Sequence, residues 1–267
     1  MRAPAEAWPA RLEALEAERD RAGPGRLARI AAELHELWDA ADAAGRRRLE
    51  DLQGRLVAEE SARHAAARAE VRSGALRAER LAERVQARDE PERDAFVEQL
   101  LGITHAPFGA GRLPPDLIGH HASGWGAITK CLRGLALGPD DVFVDVGAGL
   151  GKVVLLAHLL TGVRAVGLEL QPSLVAHARA RAQDLGAEVT FAEGDARAAL
   201  PAGTVYYLYL PCTGAALQAV LARLEAHAAS RPLRVRTLGL DLGRVPWLVP
   251  DGPDDLWLSG YSTRARE

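Results

Sequence analysis

The apolar positions of this chain follow two rhythms, and the change between them lies near residue 100. The first hundred residues are rich in Ala, Glu, Arg and Leu and contain few β-branched or aromatic residues. Apolar residues recur there at spacings of three and four, at Leu27, Ile30, Leu34, Leu37 and Ala41 and then at Leu49, Leu52 and Leu56. This spacing places them on one face of a helix. The pattern predicts an α-helical, bundle-like or coiled-coil-like region over residues 1–100.

Glycine and proline indicate where these helices break. Gly23-Pro24-Gly25 predicts the end of a first helix, and Gly45 and Gly74 predict further interruptions. Asp89 followed by Pro91 is typical of a cap and a first helical turn. We favour packing of the leucine stripe against the chain itself or against a second copy over a role as a substrate-recruiting or lid element. The second of these arrangements would be a homodimer through the first helices.

Residues 101–267 alternate short apolar runs with helical segments. Strands are predicted at 142–146, 165–170, 189–193, 205–210 and 233–240, with a terminal hairpin at 245–250 and 256–261. Helices are predicted at 127–133, 153–160, 173–185 and 213–229. This alternation favours an α/β domain with a mostly parallel sheet.

A glycine-rich turn follows the first predicted strand. Gly147, Ala148, Gly149 and Gly151 join that strand to an apolar helix, so the backbone can approach a ligand closely. N–H groups at the start of the helix would point at that ligand. The turn therefore predicts a site for a nucleotide-like cofactor. Its spacing differs from the dinucleotide motif, which has glycine where Lys152 stands. We expect Lys152 on the surface.

Three carboxylates lie at or near the ends of successive predicted strands. Asp145 precedes the glycine turn inside an apolar strand, where a carboxylate is costly unless it has a partner. Glu169 falls 22 positions after Gly147, about where such sheets place an acid beside a ribose. Asp195 follows the third strand, where it could equally serve as a turn residue.

The stretch from Asp145 to Gly151, Asp-Val-Gly-Ala-Gly-Leu-Gly, resembles the first motif of class I S-adenosylmethionine-dependent methyltransferases. The resemblance covers residues 115–262 and implies a Rossmann-like, mostly parallel sheet with an antiparallel terminal strand over 101–267. It implies S-adenosylmethionine as cofactor, with the methionine portion at Asp145 and the glycine turn and the ribose at Glu169. It places adenine between Asp195 and Ala196 and adds Leu170 and Leu210 as cofactor contacts. Residues 140–155 are also similar to the Dot1-like lysine methyltransferases.

The segment after the fourth strand departs from the family pattern. Many relatives that methylate nitrogen have Asn or Asp, then Pro-Pro and an aromatic residue, where this chain has Leu210-Pro211-Cys212-Thr213. The missing polar group weakens the case for methylation of adenine, glutamine or lysine. Pro211-Cys212 opens an alternative, because C5-cytosine methyltransferases use a Pro-Cys whose thiolate adds to the base. Their other motifs are missing, and a structural role for Cys212 is commoner.

Residues 102–126 form an irregular Gly, Pro, His and Trp stretch before the first strand. In the resembled family this segment folds over the cofactor and helps to form the acceptor pocket. His120, His121, Ser123 and Trp125 are the residues best placed for that role. The alternative is a plain linker.

Composition narrows the remaining possibilities. The 267 residues carry 33 basic and 36 acidic side chains, which gives no general nucleic-acid signal. Cys131 and Cys212 form neither a disulfide framework nor a metal site, so we expect a reducing cytoplasm. No stretch approaches 18 consecutive apolar residues, so we expect no membrane span. We predict a methyltransferase acting on a protein side chain or a small molecule, with unassigned catalytic residues. A non-catalytic adaptor and a cytosine-directed enzyme are the alternatives.

Overall fold

The computed structural model describes residues 8–19, 30, 33–107, 113–119, 122–252 and 257–263. The predicted helical region is confirmed by α1 (Trp8–Arg19), α2 (Ala43–Arg72), α3 (Ala78–Gln86) and α4 (Glu90–Leu101), and residues 33–38 are helical too. The predicted break at 23–25 lies outside the described residues.

The break predicted at Gly74 is confirmed, whereas the one at Gly45 is wrong. Gly74 has φ +77° just after α2, a conformation that glycine adopts without strain. Gly45 instead lies in the first turn of α2, where its N–H donates to the capping Asp42 carboxylate over 2.7 Å. A Cβ on Gly45 would overlap the Trp8 ring, so glycine here permits close packing of α1 on α2.

The remaining residues form a seven-stranded sheet flanked by helices, which confirms the predicted fold class. Its strands are β1 (Val142–Val146), β2 (Arg164–Glu169), β3 (Thr190–Glu193), β4 (Val205–Tyr209), β5 (Arg234–Leu238), β6 (Leu248–Pro250) and β7 (Leu258–Thr263). Their order is β3-β2-β1-β4-β5-β7-β6, with β1 to β5 parallel and β7 antiparallel to both neighbours. Because the order reverses at β1, a crevice opens between the carboxyl ends of β1 and β4.

Four further helices connect or precede the strands: α5 (Trp125–Arg133), α6 (Lys152–Thr161), α7 (Pro172–Leu185) and α8 (Gly214–Ala228). Proline in the first turn of α7 and a left-handed Gly186 at its end mark the bounds of that helix. None of the described helices is long and apolar enough to cross a membrane.

Two apolar cores lie on the two faces of the sheet, and a third lies among the first helices. Phe143 and Tyr207 face α6 and α7, and this core also contains Leu81 of α3 and Val97 of α4. The opposite face packs on α8. The third core lies within one chain and comprises Leu12, Leu15, Ile30, Leu34, Leu37, Ala41, Leu49, Leu52 and Leu56. The homodimer stays a prediction, as does a domain boundary at residue 100.

Candidate functional site

The glycine turn adopts backbone angles that other residues rarely adopt. Gly147, Gly149 and Gly151 have φ of +85°, +54° and +86°. A Cβ on Gly151 would also lie 2.5 Å from Cζ of Phe191. The N–H groups of Gly147 and Ala148 donate to the Leu168 carbonyl over 2.8 and 3.0 Å, which ties the turn to β2. The sequence therefore requires glycine here for both conformation and space.

Glu169, at the end of β2, fastens the turn from the other side. One carboxylate oxygen accepts from the N–H of Gly149 over 2.8 Å, and the other from the N–H of Gln171 over 2.9 Å. The residue is 9% exposed. Each carboxylate oxygen can accept more than one hydrogen bond. Glu169 can therefore hold the turn and still bind hydroxyl groups of a ligand.

Asp145 is a buried carboxyl group on β1, beside Tyr207 of β4 and Gly167 of β2. It is 4% exposed, and its side chain has no hydrogen-bond partner among the described residues. Burial, and secondarily the charge of Glu169, raises the pKa of Asp145 to about 8. A bound cation would supply the missing partner.

These residues line one cleft at the carboxyl edge of the sheet. The space between its walls is about 990 Å³ when the solvent in its open mouth is included. The cleft wall includes the predicted residues Asp145, Gly147, Ala148, Glu169, Leu170, Asp195, Ala196 and Leu210. Gly149 and Gly151 shape the turn without lining the cleft. The individual binding roles stay predictions.

Asp195 lines the cleft and also serves its own turn. Its carboxylate accepts from the backbone N–H of Arg197 over 2.9 Å and pairs with the guanidinium of the same residue over 2.7 Å. This hydrogen bonding to Arg197 lowers the pKa of Asp195. The carboxylate therefore stays ionised while it borders the cleft.

The segment after β4 pairs with the loop upstream of the glycine turn. Leu210 has φ +36°, an uncommon angle for a residue with a side chain. The Ile118 N–H donates to the Pro211 carbonyl over 3.1 Å, and Leu117 and Cys212 form an antiparallel bridge. Leu113, Leu117, Ile118 and Gly119 of this loop thus line the cleft, while its role in an acceptor pocket stays a prediction.

The four polar and aromatic residues predicted for the acceptor pocket lie in different parts of the structure. Ser123 lines the cleft, and its hydroxyl lies 2.9 Å from the Tyr207 hydroxyl. The prediction for Trp125 is wrong, because it is the first residue of α5 and is 3% exposed in the core. His120 and His121 lie outside the described residues.

The expectation that Lys152 lies on the surface is wrong. Lys152 is 3% exposed and lines the cleft at the start of α6. Its ammonium lies 2.7 Å from the Asp94 carboxylate and 2.7 Å from the Glu98 carboxylate, both on α4. Asp94 also accepts from the Trp125 N–H over 2.7 Å and so caps α5. No local pattern connects residues that far apart in the chain.

Cys212 also lines the cleft and is 2% exposed. Burial raises the pKa of the Cys212 thiol to about 11. Because the thiolate is the nucleophile, this environment disfavours covalent catalysis by Cys212.

Comparison with known proteins connects this site to one family. Residues 143–232 match the methyltransferase domain family. A histone-lysine N-methyltransferase specific for lysine 79 of H3, from Cryptococcus neoformans, is 49% identical over 45 residues, or 17% of this chain and 7% of that protein. The ribosomal protein L11 methyltransferase of Thermus thermophilus is 35% identical over 85 residues, or 32% of each chain. This chain thus spans a minor part of either relative.

Among solved structures, an RNA methyltransferase from Salinibacter ruber in complex with S-adenosyl-L-homocysteine is 29% identical. The match covers 54% of this chain and 92% of that one, with a TM-score of 0.44. The family match lies on β1 to β4 and their helices, where the glycine turn and the acidic residues stand. Residues 143–232 therefore lie in a methyltransferase domain, and the glycine turn and acidic residues that resemble the class I, S-adenosylmethionine-dependent pattern lie within this match.

Proposed function

We propose that this protein transfers the methyl group of S-adenosylmethionine to an amino group of a protein, such as a lysine side chain. The unpartnered carboxyl of Asp145, beside Glu169 and the glycine turn, carries the cofactor part of the proposal. Two relatives, named as a histone-lysine and a ribosomal-protein methyltransferase, support a protein acceptor.

The residues present fit the cofactor. A buried carboxyl without a partner suits the positively charged methionine portion, since it lacks a cation in the protein itself. Glu169 retains acceptor capacity for the ribose hydroxyls. Leu168, Leu170 and Leu174 give apolar walls for the base near Asp195. When bound, the cofactor supplies the electrophilic methyl group.

The described cleft residues favour an acceptor that is already a good nucleophile. Burial raises the pKa of the Tyr207 phenol above its usual range, and the Cys212 thiol is shifted in the same direction. Both therefore stay protonated at neutral pH and supply neither phenolate nor thiolate. A lysine ammonium must first lose one proton, which can go to solvent because the site is open to it. The neutral amine then attacks without a strong base, whereas an amide nitrogen or a hydroxyl group needs more activation. Catalysis then consists mainly of alignment and exclusion of water.

Leu210 lines the cleft with an apolar side chain, so a lysine amine, like an amide, has no polar side chain at this position to bind it. We therefore assign orientation of the amine to other groups of the cleft. The Ser123 and Tyr207 hydroxyls, 2.9 Å apart, line the cleft and can orient an amine. Orientation by a hydroxyl also leaves the amine lone pair free for attack.

Radiolabelled S-adenosylmethionine and arrayed lysine-containing peptides test the proposal. We expect label on lysine, identified by mass spectrometry of the product, and loss of label in Glu169→Ala. Cofactor binding without transfer to any peptide or protein fraction would favour the adaptor instead. Label on nucleic acid, trapped covalently and lost in Cys212→Ala, would favour the cytosine-directed enzyme.

The proposal also includes the cellular compartment and the oligomeric state of the protein. Cys131 and Cys212 are both free and buried, which suits a reducing cytoplasm. A homodimer would use the outer faces of the first helices, since their leucines are already covered within one chain.

A further inference from the structure

A buried cation stands in the wall of the cofactor cleft. The Lys152 side chain is 4% exposed, yet Lys152 lines the cleft together with Asp145 and Ser123. It follows the last glycine of the turn directly. A lysine is seldom so deeply buried without a function or a partner.

The contacts of Lys152 fix the position of its ammonium group and use two of its N–H donors. Asp94 and Glu98, one helical turn apart on α4, each accept one hydrogen bond from it over 2.7 Å. An ammonium group has three N–H donors and no acceptor. Two donors are used by these carboxylates, so one N–H remains without a partner among the described residues, on a side chain that lines the cleft.

The order of strands shows which part of the cofactor comes near Lys152. Asp195 follows β3, Glu169 ends β2, and Asp145 lies on β1, in the same order across the sheet. If adenine lies near Asp195 and the ribose at Glu169, the methionine arm extends towards β1 and the glycine turn. That arm ends in an ammonium and a carboxylate group.

We propose that Lys152 binds the carboxylate of the methionine arm through its remaining N–H, and that Asp94 and Glu98 are positioning residues that aim it. The proposal rests on the proposed function, because it requires S-adenosylmethionine in this cleft. Asp145 and Lys152 then form a complementary pair for the two charges of the amino acid. The first helices thereby become part of the cofactor site through α4.

Two ligands that differ only in this arm separate binding from a purely structural role. S-adenosylhomocysteine carries the amino-acid arm, whereas 5′-methylthioadenosine keeps the nucleoside and sulfur but lacks it. Calorimetry on the full chain should show that Lys152→Met weakens S-adenosylhomocysteine binding by roughly 10- to 100-fold, as for loss of a charge-assisted hydrogen bond. Binding of 5′-methylthioadenosine should change by less than about threefold. Lys152→Arg should restore part of the affinity for S-adenosylhomocysteine.

A charge-balanced variant keeps the test decisive if Lys152→Met unfolds. Combining it with Asp94→Asn and Glu98→Gln removes the unpaired carboxylates, and the amide oxygen that Asp94→Asn introduces can still cap α5. The same selective loss is expected. Equal weakening of both ligands, or no change in either, would overturn the role of Lys152 while leaving the proposed function intact. A wild-type protein that binds neither ligand would overturn both.

Discussion

Replacing Asp145 with asparagine should stabilise the cofactor-free protein and at the same time weaken cofactor binding. The folded pKa of Asp145 is about 8, against 3.8 for an ordinary aspartate. The folded state thus keeps a proton that the unfolded chain loses above pH 3.8. The contribution to stability is full below that pH, declines as the pH rises, and is lost above about pH 8.

The magnitude follows from the same difference. At pH 7 the destabilisation is at most ~4 kcal/mol, since each pH unit above 3.8 contributes ~1.4 kcal/mol. The gain from removing the carboxyl group is smaller than this limit, because the surroundings relax around the charge and because the new amide is itself buried. We expect Asp145→Asn to gain about 1–2 kcal/mol at neutral pH, which raises Tm by about 2–8 °C.

Urea unfolding of cofactor-free protein at pH 5 and pH 8.5 measures the effect, and the gain should be larger at pH 8.5. Asp141→Asn is a matched control of opposite sign. Burial acts to raise the pKa of Asp141, but hydrogen bonds from Arg234, Gly138 and Thr204 lower it to about 2. That substitution should destabilise the protein. An Asp145→Asn variant that is less stable at pH 8.5, or whose gain is the same at both pH values, would refute this account of the buried carboxyl.

Three further substitutions test the site, and a fourth serves as a control. Glu169→Ala should weaken S-adenosylhomocysteine binding by ~1–3 kcal/mol in calorimetry, and unchanged affinity would remove Glu169 from the site. Gly151→Ala should destabilise the protein by about 2–4 kcal/mol, because φ is +86° and the new Cβ would meet Phe191. Gly162→Ala, at φ +73° with no atom within 4 Å of the new Cβ, should cost only about 1–2 kcal/mol, and equal losses in urea unfolding would contradict the packing explanation. Cys212→Ala should retain methyl transfer in the labelled-cofactor assay, whereas complete loss in a folded variant would revive the thiolate mechanism.

The sheet and the glycine turn could be predicted because their determinants are local. Gly147, Gly149 and Gly151 stand between an apolar strand and an apolar helix, and each requires a backbone that glycine adopts easily. The alternation of strand and helix then indicates the α/β class without knowledge of distant contacts. Glu169 lies at a regular distance from the turn, so its position in the cleft was also predictable.

The predictions from sequence are wrong at positions where segments distant in the chain contact one another. Lys152 begins a helix, which usually means exposure, but Asp94 and Glu98 approach it from α4 and allow burial of the charge. Gly45 predicts a helix break because glycine is a poor helix former, yet contact with Trp8 selects it there. The sequence pattern assigns Trp125 to the acceptor loop, whereas the Asp94 carboxylate caps α5 and directs Trp125 into the core. None of these partners is marked by spacing along the chain.

The core that α3, α4 and α6 share also determines which parts of the molecule unfold together. Leu81 and Val97 are buried with Val154 and Leu155 of α6, whereas the leucines from Leu12 to Leu56 form their own cluster. Amides of α3 and α4 should therefore exchange with deuterium as slowly as those of the sheet, in one cooperative unit. Those of α1 and the first turns of α2 belong to a second unit that can unfold alone while the walls of the cofactor cleft stay folded.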